Sequence, residues 1–505
     1  MLSRRIRSIS SESRKAGAAA FAGAIAAAAL GLAAAAGPPE ESRRTVEIQL
    51  LGVNDFHGHL ESPGTAAREA GGPEVPLGGA AALEAHLDLA ALSHPGRTIR
   101  VHAGDMVGAS PLLSSHFQDE PTVRAMNLMD FDVGTLGNHE FDEGGEELIR
   151  LLGGARFPYI VANTLDREGE LDLPPTMVLE RGGARIGFIG VTTPSTPHFL
   201  LDRHAERFEW LDISTVVNRH AADLRSRGVE AIVVLAHSGA FHESGESGPA
   251  AGEIIDETRE MTSAVDVVIA GHSHSRLDTV VPNSDGDGGK LVVEARSYGR
   301  AYDRVRMTID RMSGHVIAKS TDTPDTWNDE VNLDDEISAL VARYRRALGG
   351  LGDRVVGRAA MTLQNRAPDG DPGNLGTVAA RGQRRLAGAD IAFVNGGNLR
   401  ASLEAGPLTY DDLFRVCAYE HPVMRMQMRG RDVQSVLDQR STGLPLHVDG
   451  PSRIDPARTY IVAANQLLID EGGVEALTRA AADATSAGTD LEALVAEVDR
   501  VGLVH

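Results

Sequence analysis

The chain has 505 residues, of which 42% are hydrophobic and 24% are charged, and its formal net charge is −22. This length predicts two or three domains, and the composition is that of a globular protein with sizeable cores. The negative charge argues against a nucleic acid polymer or an anionic membrane as a partner, because both bind basic surfaces. The one cysteine, Cys417, excludes an internal disulfide and is predicted to be a small buried hydrophobe.

A secretory signal is predicted over residues 1–40. An Ala-rich apolar run at 18–36 follows five basic side chains, which are Arg4, Arg5, Arg7, Arg14 and Lys15. Basic and apolar segments followed by a turn are typical of a cleaved signal, so we expect a periplasmic, extracellular or cell-surface protein without stable membrane insertion. An uncleaved anchor is the alternative, because the run approaches the length that spans a bilayer. The sequence leaves the Sec and twin-arginine routes open.

From residue 45 onward, short runs rich in Val and Ile alternate with helical patterns. Seven runs are predicted strands: 46–53, 98–104, 131–137, 158–163, 184–191, 231–237 and 266–272. The alternation predicts an α/β domain with a largely parallel central sheet. Two further runs, 291–299 and 303–309, follow one another without a helix and predict an antiparallel second sheet.

The remaining sequence predicts a linker helix and a second domain. Residues 334–348 have a helical pattern that stops at Gly349-Gly350. A second α/β pattern follows, with apolar runs at 389–397, 423–430 and 459–465. We therefore expect one domain at 45–330, a linker at 331–350 and another domain at 351–505.

Candidate metal ligands follow the predicted strands of the first domain: Asp55, His57, Asp105, Asn138, His237, His272 and His274. Ligands of open α/β sheets bind beyond the carboxyl ends of the strands, so these side chains are expected to meet. Oxygen and imidazole donors without thiolate suit Mn, Zn, Co or Fe. An Asp that bridges two ions ~3.5–4 Å apart would activate water and neutralise phosphoryl oxygens. His59 and His102 lie beside these motifs but are predicted to have structural roles.

Five motifs carry a resemblance to a known family: NDFHGHLE (54–61), HAGDMVGAS (102–110), GNHEFDEG (137–144), LAHSG (235–239) and GHSH (271–274). They resemble the signatures of the metallophosphatase 5′-nucleotidase family, which includes nucleotidases and UDP-sugar hydrolases. The resemblance implies a four-layered α/β/β/α metallophosphatase domain, then a helix and a smaller α/β substrate-binding domain.

The resemblance also assigns roles to individual residues. It implies that one metal is bound by Asp55, His57, Asp105 and His274. It implies that the second is bound by Asp105, Asn138, His237 and His272, with Asp105 bridging. His139 resembles the residue that stabilises the transition state and protonates the leaving group. Asp142 resembles the partner that orients it.

Substrate contacts are implied in the second domain. NGGNLR at 395–400 implies contacts from Asn395 and Arg400, and Arg366 resembles a second phosphate-binding arginine. Tyr419 stands where the family has its first base-stacking ring. The second ring is expected near 474–476, where this chain has Val-Glu-Ala. The chain therefore has no aromatic ring at the position where the family has the second one.

These features predict an exported phosphoesterase with two divalent metal ions. Its substrates would be nucleotides, nucleotide sugars or cyclic nucleotides, hydrolysed by in-line attack of metal-activated hydroxide on phosphorus. Two alternatives stay open. One is a sulfur-ester or thiosulfate-type hydrolase on the same scaffold. The other is an exported nucleotide-binding protein without catalysis.

Overall fold

A computed structural model describes residues 44–243, 248–284, 286, 288–365, 373–440, 446–471 and 474–504. The predicted signal at 1–40 and the candidate substrate residue Arg366 lie outside these ranges. Among the described residues, no helix combines the length and the apolar character needed to cross a membrane. The predicted α/β class is confirmed, with two α/β domains that follow one another along the chain.

The first domain contains seventeen strands among its described residues: β1 (Thr45–Val53), β2 (Thr65–Ala67), β3 (Glu74–Pro76), β4 (Thr98–His102), β5 (Val133–Gly134), β6 (Thr164–Asp166), β7 (Thr176–Arg181), β8 (Ala184–Thr192), β9 (Phe208–Trp210), β10 (Ala231–His237), β11 (Phe241–His242), β12 (Ala250–Ala251), β13 (Val267–Ala270), β14 (Arg276–Pro282), β15 (Gly289–Ala295), β16 (Asp303–Asp310) and β17 (Val316–Asp322). Its helices are α1 (Ala80–Ala91), α2 (Leu112–Ser115), α3 (Glu120–Leu128), α4 (Gly145–Gly154), α5 (Asp202–Ala205), α6 (Ile213–Ser226) and α7 (Glu253–Glu260). Single 3-10 turns lie at His139–Phe141 and Thr196–Phe199.

Two mixed sheets face each other in this domain. Their strand orders are β17-β16-β1-β4-β5 and β14-β15-β13-β10-β8-β7. Apolar side chains from both, such as Leu50 and Val233, fill the space between them. Helices α1, α3 and α4 cover the outer face of the first sheet, and α6 and α7 cover that of the second. The result is the four-layered α/β/β/α arrangement implied by the resemblance.

Two sequence predictions about strands are wrong. Residues 158–163 form no strand and make only an isolated bridge between Tyr159 and Gly134. The runs near 291 and 303 do not pair with each other, because β15 is parallel to β13 in one sheet and β16 is antiparallel to β1 in the other. The connection at 296–302 therefore crosses between the sheets. Both runs are largely buried, and sequence alone does not distinguish such a crossing from a hairpin.

The predicted linker helix is present as α8 (Asp335–Leu348). The Asp334 side chain caps its first turn by accepting a hydrogen bond of 2.8 Å from the Ile337 amide. The helix ends at Leu348, and the following Gly349 has a φ of 66°, in the left-handed region that glycine tolerates. Ile337 and Tyr344 pack into the core beneath the helices of the first domain. This packing fixes the helix to the first domain.

The second domain contains β18 (Val355–Ala359), β19 (Ile391–Asn395), β20 (Gly406–Thr409), β21 (Pro422–Arg429), β22 (Leu446–Asp449), β23 (Thr459–Asn465), β24 (Thr485–Thr489) and β25 (Leu503–Val504). Its helices are α9 (Leu375–Leu386), α10 (Tyr410–Val416), α11 (Gly430–Arg440), α12 (Gln466–Glu471), α13 (Glu475–Ala480) and α14 (Asp490–Val501), with 3-10 turns at Gly396–Asn398 and Ala481–Asp483. The sheets have the orders β22-β19-β23-β21-β24 and β20-β18-β25. Cys417 is buried in this core, as predicted, and Leu112 of α2 packs into the same cluster and joins the domains.

Candidate metal centre

The loops that follow five parallel strands converge at one edge of the two facing sheets. These strands are β1, β4 and β5 of the first sheet and β10 and β13 of the second. Five of the seven predicted ligands have left-handed backbones: Asp55 (φ 49°), His57 (47°), Asp105 (51°), His272 (83°) and His274 (57°). Such values are uncommon outside glycine and are concentrated at functional sites, where the surrounding structure stabilises them.

One group of donors consists of Asp55, His57 and His274. The Nε2 atoms of the two histidines are 3.1 Å apart. The Asp55 Oδ1 atom lies 3.5 Å from Nε2 of His274 and 3.9 Å from Nε2 of His57. Three donor atoms at these separations can contact one ion together.

A second group consists of Asp105, Asn138, His237 and His272. Nε2 of His237 lies 3.1 Å from Asp105 Oδ2 and 3.1 Å from Asn138 Oδ1, and Nδ1 of His272 lies 2.9 Å from the same Asn138 oxygen. Asp105 Oδ2 is also 3.7 Å from Nε2 of His57, in the first group. Asp105 therefore stands between the two groups, as a bridging ligand would.

The hydrogen bonds of the His57 and His237 rings leave their Nε2 atoms available to bind metal ions. Nδ1 of His57 donates to the Gly108 carbonyl at 2.9 Å, and Nδ1 of His237 donates to the Ala103 carbonyl at 2.9 Å. The neutral rings then have lone pairs on Nε2, and these face the lone pairs of other donors, including Asp105. Lone pairs that meet in a buried space repel one another unless a proton or a metal ion lies between them. The donors are oxygen and nitrogen only, which suits Mn, Zn, Co or Fe.

The electrostatic environment favours neutral rings at His57 and His272 and an ionised Asp105, the states that bind metals. Burial lowers the pKa of His57 well below its usual range and that of His272 to about 4. Burial alone would raise the pKa of Asp105, but the neighbouring His237 and His139 hold it well below its usual range. Burial also lowers the pKa of His237, but Asp105 more than offsets this and raises it to about 10. The negative charge of Asp105 therefore favours a positive charge where His237 meets it, supplied by a proton on His237 or by a metal ion.

His139 lies beside this cluster with Asp142 as its partner. The His139 Nδ1 donates to Asp142 Oδ2 at 2.8 Å, and its Nε2 lies 4.0 Å from Asp105 Oδ2. Burial lowers the pKa of His139, but the charges of Asp142 and Asp105 outweigh it and raise the pKa to about 9. His139 can therefore keep a proton on the nitrogen that faces the cluster.

Two further residues hold the loops, and the sequence analysis missed both. The buried carboxylate of Glu140 accepts hydrogen bonds from the amides of Asp105 (3.0 Å), Met106 (2.8 Å) and Gly137 (2.6 Å). The Asn54 side chain donates to Asp55 Oδ2 at 2.6 Å and to the Arg296 carbonyl at 2.7 Å. Each stands next to a predicted site residue within a motif. This adjacency is the sequence signal that could have found them.

The second domain places Tyr419 against this centre. Its ring stacks on His139, with ring centroids 5.7 Å apart and planes 15° apart, and the Arg400 Cζ atom lies 5.7 Å from the Tyr419 centroid. Asn395 is in the turn before Arg400, where its Oδ1 accepts from the Gly397 amide at 2.9 Å. This is the one side-chain hydrogen bond of Asn395 among the described residues. The role of Asn395 in substrate binding remains a prediction.

Comparison with known proteins identifies both domains. The calcineurin-like phosphoesterase profile matches residues 48–276, and the 5′-nucleotidase C-terminal domain profile matches residues 355–452. The solved 5′-nucleotidase precursor from Thermus thermophilus has the same fold, with a TM-score of 0.76 and 24% identity, over 91% of this chain and 97% of that one.

Two curated relatives are more similar in sequence. Endonuclease YhcR of Bacillus subtilis (strain 168) is 32% identical over 416 residues, which are 78% of this chain and 33% of that protein. Cell wall protein Lmo0130 of Listeria monocytogenes serovar 1/2a is 33% identical over 455 residues, which are 78% of this chain and 56% of that protein. The chain thus spans about a third of one relative and just over half of the other. With both domain profiles present in this order, the chain belongs to the metallophosphatase 5′-nucleotidase family, a family of phosphoric ester hydrolases.

Proposed function

We propose that this chain is an exported phosphoesterase that uses two divalent ions to hydrolyse nucleotides or related small phosphoesters. The observation that carries the proposal is the convergence of seven oxygen and nitrogen donors from five strand ends, with Asp105 between two groups. A protein that only binds nucleotides does not need these seven metal-binding side chains. The family assignment agrees with the proposed chemistry.

In the proposed mechanism, Asp55, His57 and His274 would hold one ion, and Asp105 would be shared with a second group. Asn138, His237 and His272 complete the second group. When bound, two divalent ions supply an activated water and neutralise charge on phosphoryl oxygens.

His139 supplies the proposed proton. Its imidazole is held by Asp142 and keeps a hydrogen on Nε2, which faces the same space as Asp105 Oδ2. A protonated imidazole there can stabilise charge on a phosphoryl oxygen or protonate the leaving oxygen. Loss of Asp142 would leave the ring without its orienting partner.

The substrate is proposed to lie between the domains. Tyr419 and Arg400 come from the second domain and stand over His139 of the first. A guanidinium suits contact with phosphate, and an aromatic ring suits stacking with a nucleobase. We assign Arg366 and Asn395 to substrate binding on the family resemblance.

A small phosphoester is favoured over a nucleic acid polymer. One relative is named an endonuclease, but this chain matches only 33% of its length. A net charge of −22 disfavours a phosphate backbone with many charges. Export is supported by the signal pattern at 1–40 and by the name of the cell wall relative.

The decisive experiment is a substrate panel with purified protein loaded with Mn, Zn or Co. The panel contains nucleoside monophosphates, a nucleotide sugar, cyclic nucleotides, a sulfur ester and a single-stranded oligonucleotide. We expect metal-dependent phosphate release from at least one small nucleotide. Binding of nucleotides without turnover of any phosphoester would support the non-catalytic alternative. Exclusive cleavage of the sulfur ester would support the sulfur-ester alternative.

A further inference from the structure

Tyr298 lies at the edge of the candidate metal centre, in the connection that crosses between the sheets. Its ring centroid is 5.3 Å from that of His274 and 5.9 Å from that of His57, and it stacks on His59 at 3.9 Å with an angle of 26°. Its φ of 63° is left-handed, which is strained for a bulky residue. The Tyr298 amide donates to the Asp55 carbonyl at 2.8 Å, which ties the connection to a candidate ligand.

Arg300 follows two residues later and carries a charge that has no acidic partner. Its Cζ atom lies 5.1 Å from the Tyr298 ring centroid. Among the described residues, its guanidinium makes no hydrogen bond or ion pair, although the residue is half-buried. Nearby Arg276 pairs with Asp325 at 3.2 Å. Placing an unpaired charge in a partly buried space costs free energy, which an anionic ligand would offset.

A second guanidinium without an acidic partner, that of Arg400, comes from the other domain, and its Cζ atom lies 5.7 Å from the centroid of the Tyr419 ring. Arg400 has no side-chain hydrogen bond or ion pair with any residue in the described ranges. Two guanidinium groups without acidic partners among the described residues therefore lie over aromatic rings beside the candidate metal centre, in a chain whose net charge is −22.

We propose that Arg300, with the stacked pair Tyr298 and His59, forms an anion subsite that binds a second phosphoryl group of the substrate. This inference rests on the proposed function, because the first phosphoryl group would occupy the metal centre. A guanidinium can bind two phosphoryl oxygens at once, which gives both affinity and orientation. The substrate class is then a phosphoester with two phosphoryl groups, either linked as a diphosphate or carried on one nucleoside as a bisphosphate.

The test compares wild type with Arg300→Gln, Arg300→Lys and the control Arg306→Gln. Arg306 pairs with Asp322 at 3.2 Å in the same domain. Inorganic phosphate and pyrophosphate are measured as inhibitors of p-nitrophenyl phosphate hydrolysis, without excess metal. Binding of both anions to protein loaded with Mn, Zn or Co is measured by calorimetry. Thymidine 3′,5′-bisphosphate, as a third probe, distinguishes a bisphosphate from a diphosphate.

We expect Arg300→Gln to weaken pyrophosphate or bisphosphate binding about tenfold or more, the effect of losing a charged hydrogen bond. Phosphate binding should change by less than about twofold in Arg300→Gln, because a single phosphoryl group needs no second subsite. Arg300→Lys should weaken the binding of pyrophosphate or bisphosphate less than Arg300→Gln does. Arg306→Gln should bind all of these anions as wild type does.

Equal weakening of all three anions by Arg300→Gln, or no weakening, would overturn the subsite. Similar melting temperatures in the variants exclude a folding defect. Failure of the proposed function is a separate outcome, namely that wild type hydrolyses no phosphoester with any metal. Calorimetry would then still decide whether Arg300 discriminates one phosphoryl group from two.

Discussion

Tyr419 of the second domain stacks on His139 of the first, with ring centroids 5.7 Å apart. On its own domain, the Tyr419 ring also stacks with His421 at 5.3 Å and 17°. The base-stacking residue implied by the sequence is thus in contact with the candidate proton donor. A substrate that enters must therefore displace the Tyr419 ring from His139, or contact the edge of the Tyr419 ring that His139 leaves open.

Replacement of Tyr419 should separate recognition of the base from chemistry. We expect Tyr419→Ala to raise KM for a nucleoside monophosphate by about 5- to 100-fold, the range of base-stacking energies. Ribose 5-phosphate, which has no base, should be affected much less, and Tyr419→Phe should retain most stacking. Steady-state kinetics on both substrates provide the measurement, with Tyr410→Ala as the control. An equal loss on both substrates would indicate that the ring acts through His139.

Asp105 is assigned to metal binding and His139 to proton transfer, so replacing each should give a different phenotype. Asp105→Ala should lose metal, because Asp105 lies between both donor groups. His139→Ala should retain metal but lower kcat by about 10²–10⁴-fold, the usual contribution of a general acid. Elemental analysis and kcat should be measured on the same preparations, with His94→Ala as a remote histidine control. Equal metal loss in both variants would contradict the assignment.

Glu140 should control metal affinity without touching a metal. Its carboxylate accepts hydrogen bonds from three backbone amides in two ligand loops. In Glu140→Gln, one of the two oxygens becomes an NH2 group, which cannot accept a hydrogen bond from these amides. We expect a 10- to 100-fold loss of metal affinity, roughly the effect of removing an outer partner of a metal site. A competition titration with a chromogenic chelator measures this affinity. Glu146→Gln, an exposed residue of α4, should show no change.

Removal of metal should abolish activity and lower thermal stability, but leave secondary structure intact. Each ion at 100 times its Kd stabilises the folded state by about 2.7 kcal/mol. Chelated protein should therefore melt earlier and recover on addition of Mn, Zn or Co. Scanning calorimetry and circular dichroism provide the two readouts. Asp105→Ala should be insensitive to added metal, and a metal response in that variant would place the ions elsewhere.

Part of the loss of folding stability at acid pH should come from protonation of Asp166. Arg207 donates to both of its oxygens, at 3.0 and 2.8 Å, and this pairing holds the Asp166 pKa below its usual range. A lowered pKa contributes stability above about pH 4 that is lost as the pH falls through the folded-state value. Asp166→Asn should cost about 2 kcal/mol at pH 7 and progressively less below pH 4.

Urea unfolding at pH 7, 5 and 3 tests the Asp166 prediction. Asp256→Asn disrupts an exposed pair with Arg259 and should have no measurable effect at any of these pH values. If the difference between Asp166→Asn and wild type stayed constant from pH 7 to 3, the pairing would not be the cause.

Much of the fold could be predicted because its strands are short, apolar and bounded by polar turns. The run at 231–237 and the strand that begins near 45 were recognisable for this reason, and their polar ends indicated the ligands. The crossing at 296–302 was not predictable, since two adjacent buried strands look like a hairpin whichever sheet each joins.

Contacts between distant segments account for what the sequence missed in the site. Glu140 and Asn54 act on backbone amides and carbonyls of other loops, which no side-chain pattern reveals. The stacking of Tyr419 on His139 depends on how the two domains dock. The sequence predicted a ring at position 419 but not its position over the proton donor.

The left-handed turns at Asp55, His57, Asp105, His272 and His274 restrict how this centre could be altered by design. Val, Ile or Thr at these positions would clash with their own backbone, whatever their affinity for metal. Asn and Asp tolerate the geometry best, so changes of metal preference are most accessible through carboxylate–amide exchange. Transfer of the ligands to another scaffold would require the five turns as well as the side chains.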